Sequence, residues 1–311
     1  MGKIAFLFPG QGSQSVGMGR ELHDADPAIA ALFAEANATL GFDLTDLMFN
    51  GPDETLRLTE NAQPALVLTG LAVHHLVTEK TRLRADYVAG HSLGEYAAIA
   101  AAGGFSAMDA VRLVRKRGEA MRSALPAGVG GMAAVLNMAP ADVEKICQQA
   151  AAETDLFCAP ANYNTATQLV ISGHVAAVQR AVELVKATKA KALPVPVSAA
   201  FHTPLMAKAA ATMADVLAEQ PIRDLAIPLI ANVTADALTQ GNEVKENLIE
   251  QITDPVRWEA SMLRLLALGV DTFVELGSGQ VLAGMMKRIH KEARILTINT
   301  PTDLEKLTDW I

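Results

Sequence analysis

Gly90-His91-Ser92-Leu93-Gly94 fits G-x-S-x-G, a pattern that carries a serine on a sharp turn between a strand and a helix. The flanks supply that context: Asp86-Tyr87-Val88-Ala89 reads as a buried strand, and Glu95 to Ala102 as an alanine-rich helix closed by Gly103-Gly104. In such a turn the serine is strained and exposed, and the glycines let strand and helix approach closely. The helix start aims free N–H groups and a positive dipole end at the serine oxygen. The chemistry this permits is nucleophilic catalysis, with the N–H of Leu93 as one oxyanion donor. The plainer reading is a glycine-rich turn with an inert serine.

A serine hydroxyl attacks only when a base takes its proton, so a histidine near neutral pKa is required. Of seven histidines, His23, His74, His75, His174 and His290 lie in helix-like or polar surface stretches, and His91 adjoins the serine with its side chain pointing elsewhere. His202 follows the strand-like Leu193 to Ser198 and precedes Thr203-Pro204, an N-cap and N1 pair. That puts it at a strand's carboxyl end, where open α/β sheets build sites. Two roles stay open for it from the residues alone, base or capping histidine.

The helix Met108 to Leu125 carries Arg112, Arg115, Lys116, Arg117 and Arg122, and a solvated basic face is the default for such a run. Arg117 breaks it. Leu113, Val114, Ala120 and Met121 are its helical neighbours, all apolar, so its guanidinium either snorkels outward or meets an anion. Pro9-Gly10-Gln11-Gly12-Ser13-Gln14 follows the first strand, leaving backbone N–H groups free at the same sheet edge. A dinucleotide fingerprint fails there because Ser15 stands where a third glycine is required.

The elements that must position these residues can be read from periodicity. Ile4-Ala5-Phe6-Leu7-Phe8 is apolar without alternation, as in a strand buried on both faces. With the strand, turn and helix around Ser92 it marks an α/β domain with a mainly parallel, hydrolase-like sheet. Gly131 to Ser198 has a different order. Met132–Leu136 is a strand, Asp142–Ala152 a helix, Cys158–Asn162 and Gln168–Ser172 strands; Val175, Val178, Val182 and Val185 stripe a helix, and Leu193–Val197 is a strand. That order is βαββαβ, ferredoxin-like. The expected organisation is one large catalytic domain from 1–128 and 198–311, with an inserted subdomain at 129–197. Leu229–Val233 and Thr272–Leu276 read as later strands of the large domain. There is no internal repeat and no low-complexity segment.

With 311 residues, half of them apolar and 19% charged, the chain hides roughly three quarters of its unfolded surface and builds a full core. A net charge of −8 argues against a nucleic-acid or anionic-membrane surface, which needs a basic field. Met1 to Phe8 is too short for a signal peptide, Phe6 breaks the myristoylation pattern, and no run nears the roughly 18 apolar residues of a membrane span. The expectation is a cytoplasmic protein. Cys147 falls on the stripe Val143, Ile146, Cys147, Ala150, so it and Cys158 read as core filler rather than metal ligands.

Five motifs in order then resemble one family: FPGQGSQ at 8–14, GHSLGEY at 90–96, Arg117 in RKRGEAM, AFHTPLM at 200–206, and Gln251 before DPVRW. They resemble the bacterial malonyl-CoA:acyl carrier protein transacylases of fatty-acid synthesis, over nearly the whole chain. The resemblance implies that Ser92 is the acylated nucleophile, that His202 is its base, and that the backbone carbonyl of Gln251, not a carboxylate, orients the imidazole. It further implies that the N–H groups of Gln11 and Leu93 form the oxyanion hole, that Arg117 holds the free carboxylate of malonyl, and that Gln63 and Asn162 lie near the site. Phe201 resembles the malonyl-selective type and would crowd a branched acyl chain.

The implied substrates are malonyl-CoA and acyl carrier protein, without metal or cofactor, and the implied state is a monomer. Lys186, Lys189, Lys191, Lys287 and Arg288 are candidates for a basic patch facing the acidic carrier, each also readable as plain solvated surface. The chain departs from the family at Asn164-Thr165-Ala166-Thr167-Gln168, where Asn-Ser-Pro-Gly-Gln is usual, and at Ser278 and Gln280, where Pro and Lys are common. Rival readings are a malonyltransferase serving a polyketide synthase, a serine hydrolase or thioesterase, and a non-catalytic binding module.

Overall fold

The computed structural model describes residues 2–197 and 199–310. Its strands are β1 (Lys3–Phe8), β2 (Tyr87–Gly90), β3 (Gly130–Leu136), β4 (Cys158–Thr165), β5 (Gln168–His174), β6 (Lys191–Pro194), β7 (Leu229–Ile230), β8 (Ala237–Leu238), β9 (Val270–Leu276) and β10 (Arg294–Ile298). They form a six-stranded sheet, β10-β9-β1-β2-β7-β8, and a four-stranded sheet, β4-β5-β3-β6. The first is parallel except for its edge strand β8; the second is antiparallel.

The unbroken apolar run in β1 has the expected cause. Ile4, Phe6 and Phe8 point into one core with Phe33, Leu66 and Tyr96, while Ala5 and Leu7 point into another with Trp258, Met262 and Met286. Helices cover both faces, so neither set of side chains meets water. The four-stranded sheet has its own core, in which Val135 and Ile171 meet Val143, Cys147, Val178 and Val182 of the helices Pro140–Thr154 and Val175–Lys186. Its first strand lies between its third and fourth, the ferredoxin-like arrangement. Cys147 and Cys158 are free, buried thiols in this core.

Two expectations need correction. The strand read at Leu193–Val197 is β6 at Lys191–Pro194; Pro194 and Pro196 lack the N–H that would continue the ladder. Because β6 belongs to the small sheet, His202 is not at the carboxyl end of a strand of the parallel sheet. It reaches the site on the loop that follows, and Ser198, read as the point of return to the large domain, lies outside the described residues. Likewise β7 keeps only two of the five residues read as a strand, since the chain turns at Ala231, whose N–H donates to Asp236 O and whose carbonyl accepts from Ala235. That early exit releases Asn232 from the sheet.

The turn around Ser92 depends on contact between β1, β2 and the helix Gly94–Ala101. A Cβ built on Gly90 would lie 2.0 Å from the backbone of Gly94, and one on Gly94 would lie 2.2 Å from the carbonyl of Phe8. Backbone cannot move aside as a flexible side chain can. Gly90→Ala is therefore expected to destabilise the fold by about 3 kcal/mol or more, read as a lowered denaturation midpoint; an unchanged midpoint would contradict this packing.

Candidate active site

Ser92 sits between β2 and the helix Gly94–Ala101 with φ 52°, a conformation that costs a non-glycine residue about 1–3 kcal/mol. Asn232 holds it there: its Oδ1 accepts from Ser92 N at 2.7 Å and its Nδ2 donates to Gly90 O at 2.7 Å. His202 also has a positive φ, 58°, on a loop steadied by Thr203, which stands as expected before the short 3-10 helix Pro204–Met206 but whose hydroxyl donates to Ala200 O at 2.7 Å and accepts nothing from the helix start. The imidazole Nε2 lies 2.7 Å from Ser92 Oγ, and Nδ1 lies 2.7 Å from the carbonyl oxygen of Gln251. A carbonyl can only accept, so Nδ1 carries the proton and Nε2 is left as the acceptor facing the hydroxyl. Burial, then the charge of Arg117, hold His202 down to about 3, so the free imidazole is neutral, with Nε2 unprotonated, and a weaker base than a solvated histidine.

Arg117 comes from the helix Ala107–Ser123, which opens with a capping box between Ser106 and Asp109. The side chain is 1% exposed: it enters the fold instead of snorkelling. Nη1 donates to Gln63 Oε1 at 2.9 Å; Nη2 donates to Gln251 Oε1 at 2.8 Å and to Ser92 Oγ at 3.1 Å. Its Nε has no partner among the described residues, and its three hydrogen bonds all go to neutral oxygens. A buried cation held only by neutral acceptors is a site waiting for an anion. Burial is also the main cause that lowers its pKa.

These groups face a cavity of about 210 Å³ lined by Gln11, Ser92, Leu93, Arg117, Asn162 and Phe201 among others. The N–H groups of Gln11 and Leu93 have no acceptor among the described residues, and Ser92 N is already taken by Asn232. Two free donors at the nucleophile fit an oxyanion hole. Gln63 is 1% exposed and fixed by Thr59, to whose hydroxyl its Nε2 donates at 2.9 Å; the same hydroxyl donates to Gln11 Oε1 at 2.8 Å. Asn162 reaches the cavity from β4. His91 lies at the cavity wall, but its Nε2 is engaged by Asn164 Oδ1 at 2.9 Å and its ring packs on Trp258 at 5.4 Å.

The structure thus gathers Ser92, His202, Arg117, Gln11, Leu93, Gln251, Gln63 and Asn162 in one place. It divides the basic candidates: the helix Val281–Ile289, which lines the cavity with Val281, Leu282 and Met285, carries Lys287 and Arg288, whereas Lys189 borders a separate depression beside Asn137 and Asp142. Among the described residues no group of three His, Cys, Asp or Glu could hold a metal, and no helix is long and apolar enough to cross a membrane. Sequence reading missed Asn232 and Glu95. Glu95 did leave a signal, as a lone charge in the apolar run Tyr96-Ala97-Ala98-Ile99; Asn232 left none, being one asparagine after a strand.

The sequence matches the family described as acyl transferase domain over residues 5–300. A malonyl CoA-acyl carrier protein transacylase of Bacillus subtilis (strain 168) is 46% identical over 306 residues, covering 98% of this chain and 96% of the relative. Among solved structures, the malonyl CoA-acyl carrier protein transacylase from Coxiella burnetii is similar at a TM-score of 0.95 and 38% identity, with 99% of this chain and 97% of that one covered. A structure of a type II PKS acyl-carrier protein in complex with its malonyl-transacylase matches at a TM-score of 0.95 and 35% identity, covering 99% of both chains.

Proposed function

The chain belongs to the acyl transferase domain family, and from that premise we propose that it moves malonyl from coenzyme A to the phosphopantetheine thiol of acyl carrier protein through an ester on Ser92. The observation that carries this reading is Arg117, a buried guanidinium 3.1 Å from the nucleophile with no carboxylate of its own. A hydrolase of neutral esters has no use for such a cation. A substrate with a carboxylate at its far end supplies the missing anion, and guanidinium–carboxylate pairs are among the stronger polar contacts.

Ser92 Oγ attacks the thioester carbonyl while His202 Nε2 takes its proton and the Gln251 carbonyl stabilises the imidazolium through Nδ1–H. The N–H groups of Gln11 and Leu93 hold the oxyanion. As the carbon–sulfur bond breaks, the proton passes from His202 to the departing sulfur, leaving malonyl-Ser92. The carrier thiol then gives its proton to His202 and attacks the ester carbonyl; the bond to Ser92 Oγ breaks, and His202 returns the proton to that oxygen as the malonyl thioester leaves. A malonyl carboxylate on Arg117 also offsets the charge that depresses His202, so the base strengthens when the right cargo is bound.

Further parts of the proposal are that Phe201 crowds a branched acyl chain, that residues 129–197 form an inserted subdomain closing one wall of the cavity, and that Lys287 and Arg288 meet the acidic carrier. Since one chain supplies every reacting group, the working state is a monomer, cytoplasmic, without cofactor, serving fatty-acid synthesis. A carrier of polyketide assembly is the second reading, favoured by the likeness to the PKS malonyl-transacylase complex. Steady-state transfer with both carrier types tests the reading. The expected result is malonyl-carrier formation with parallel double-reciprocal lines and a preference for the fatty-acid carrier; steady release of free malonate, carrier or not, would make the protein a hydrolase.

A further inference from the structure

Glu95, three residues after the nucleophile, is fully buried. One carboxylate oxygen accepts from the backbone N–H of Asn232 at 2.8 Å, and the other accepts from Gln251 Nε2. Gln251 is the residue on which the site converges. Its Nε2 also donates to Ser92 O at 3.0 Å, its Oε1 accepts from Arg117 at 2.8 Å, and its main-chain carbonyl accepts from His202 at 2.7 Å.

Resting on the transferase reading above, we propose that Glu95 is a positioning residue: its ionised carboxylate fixes the amide orientation of Gln251 and so sets both Arg117 and His202. The reason is donor counting. Both partners of Glu95 are donors, so only an acceptor-only group satisfies them. A protonated acid, or a glutamine at this position, must turn one donor against Asn232 N–H or against the Gln251 amide. Turning Gln251 over relieves that clash but presents its NH₂ to the Arg117 guanidinium, donor against donor. The carboxylate also gives the Arg117 cation a counter-charge one amide away, where a direct ion pair would leave no room for the malonyl group.

This makes the site sensitive to acid. Burial raises Glu95 to about 7, against the lowering effect of its hydrogen bonds to Asn232 and Gln251, of the nearby Asn247 amide and of the Arg117 charge. The other titratable group coupled to it is Tyr96, itself raised to about 12 by burial and so neutral. Glu95 is therefore ionised above about 7 and protonated below it. An acidic limb in kcat/KM, which reports the free enzyme, disappears on replacement of Glu95 by glutamine when it belongs to Glu95 and stays when it belongs to His202.

The test is the pH profile of kcat/KM for malonyl transfer in wild type, Glu95→Gln and Glu95→Asp, with rates counted per active site from the amount of malonyl-enzyme formed, so that misfolded protein drops out. Wild type is expected to lose activity as pH falls through about 7 while remaining folded by circular dichroism. Glu95→Gln is expected to be about tenfold or more slower at alkaline pH, the size of one buried donor left unpaired, flat through neutrality, and less selective for malonyl over acetyl. Glu95→Asp, still acceptor-only, recovers part of the rate and the acidic limb. A wild-type profile flat through neutrality overturns the proposal, as does a Glu95→Gln profile that keeps the limb or equal losses in both variants with unchanged profiles. Absence of malonyl transfer by the wild-type protein would instead overturn the functional reading beneath it.

Discussion

Ser92→Ala is expected to lower malonyl transfer by about four orders of magnitude or more, with the fold intact, because removing the nucleophile of a concerted group forfeits the covalent route as a whole. His202→Ala is expected to fall nearly as far, and the double variant no further than the worse single one. The reason lies in the geometry: Ser92 Oγ, His202 Nε2 and the Gln251 carbonyl are joined by two contacts of 2.7 Å, so either loss leaves the other residue without a task. The initial rate of malonyl-carrier formation measures this. Additive losses in the double variant would mean that the two side chains act separately, against the proposed proton transfer.

Arg117→Ala carries the second large effect, and its sign depends on the substrate. For malonyl, the variant leaves the cargo's carboxylate unpaired in a buried cavity, a loss of several kcal/mol, or about 10² to 10³ in kcat/KM. For acetyl, no carboxylate is lost. The wild-type site holds acetyl beside a guanidinium with no carboxylate in contact, whose charge lowers His202, and the variant removes that field, so acetyl transfer is retained or raised. The two substrates compared on one preparation cancel any loss of folded protein. Equal losses for both would make Arg117 a structural residue only.

How much of this was legible in the sequence follows from how local each signal is. The strand, turn and helix around Ser92 depend on neighbours in the chain, and so does the apolar environment of Arg117; both were read correctly. The ferredoxin-like order was readable because each element of that segment has a clear period. The ends of β6 and β7 were misread because prolines and a turn, not hydrophobicity, stop them. His202 was identified on a mistaken ground: it arrives on a loop, not at the end of a strand of the main sheet. The partnership of Asn232, Glu95 and Gln251 joins Glu95 to two residues more than a hundred positions downstream through hydrogen bonds that no periodicity records. Gln251 entered through the resemblance alone, as did Gln63 and Asn162.

The claim on which the rest stands is that Ser92 carries the malonyl group between the two thiols. Intact-protein mass measurement after brief mixing with malonyl-CoA, followed by addition of carrier protein with its phosphopantetheine thiol, tests it directly. The account predicts one malonyl adduct per chain, mapped to Ser92 by peptide fragmentation, that disappears as the carrier gains the same mass. An adduct on another residue, or malonyl-carrier formed at full rate by a chain that never carries an adduct, would contradict it.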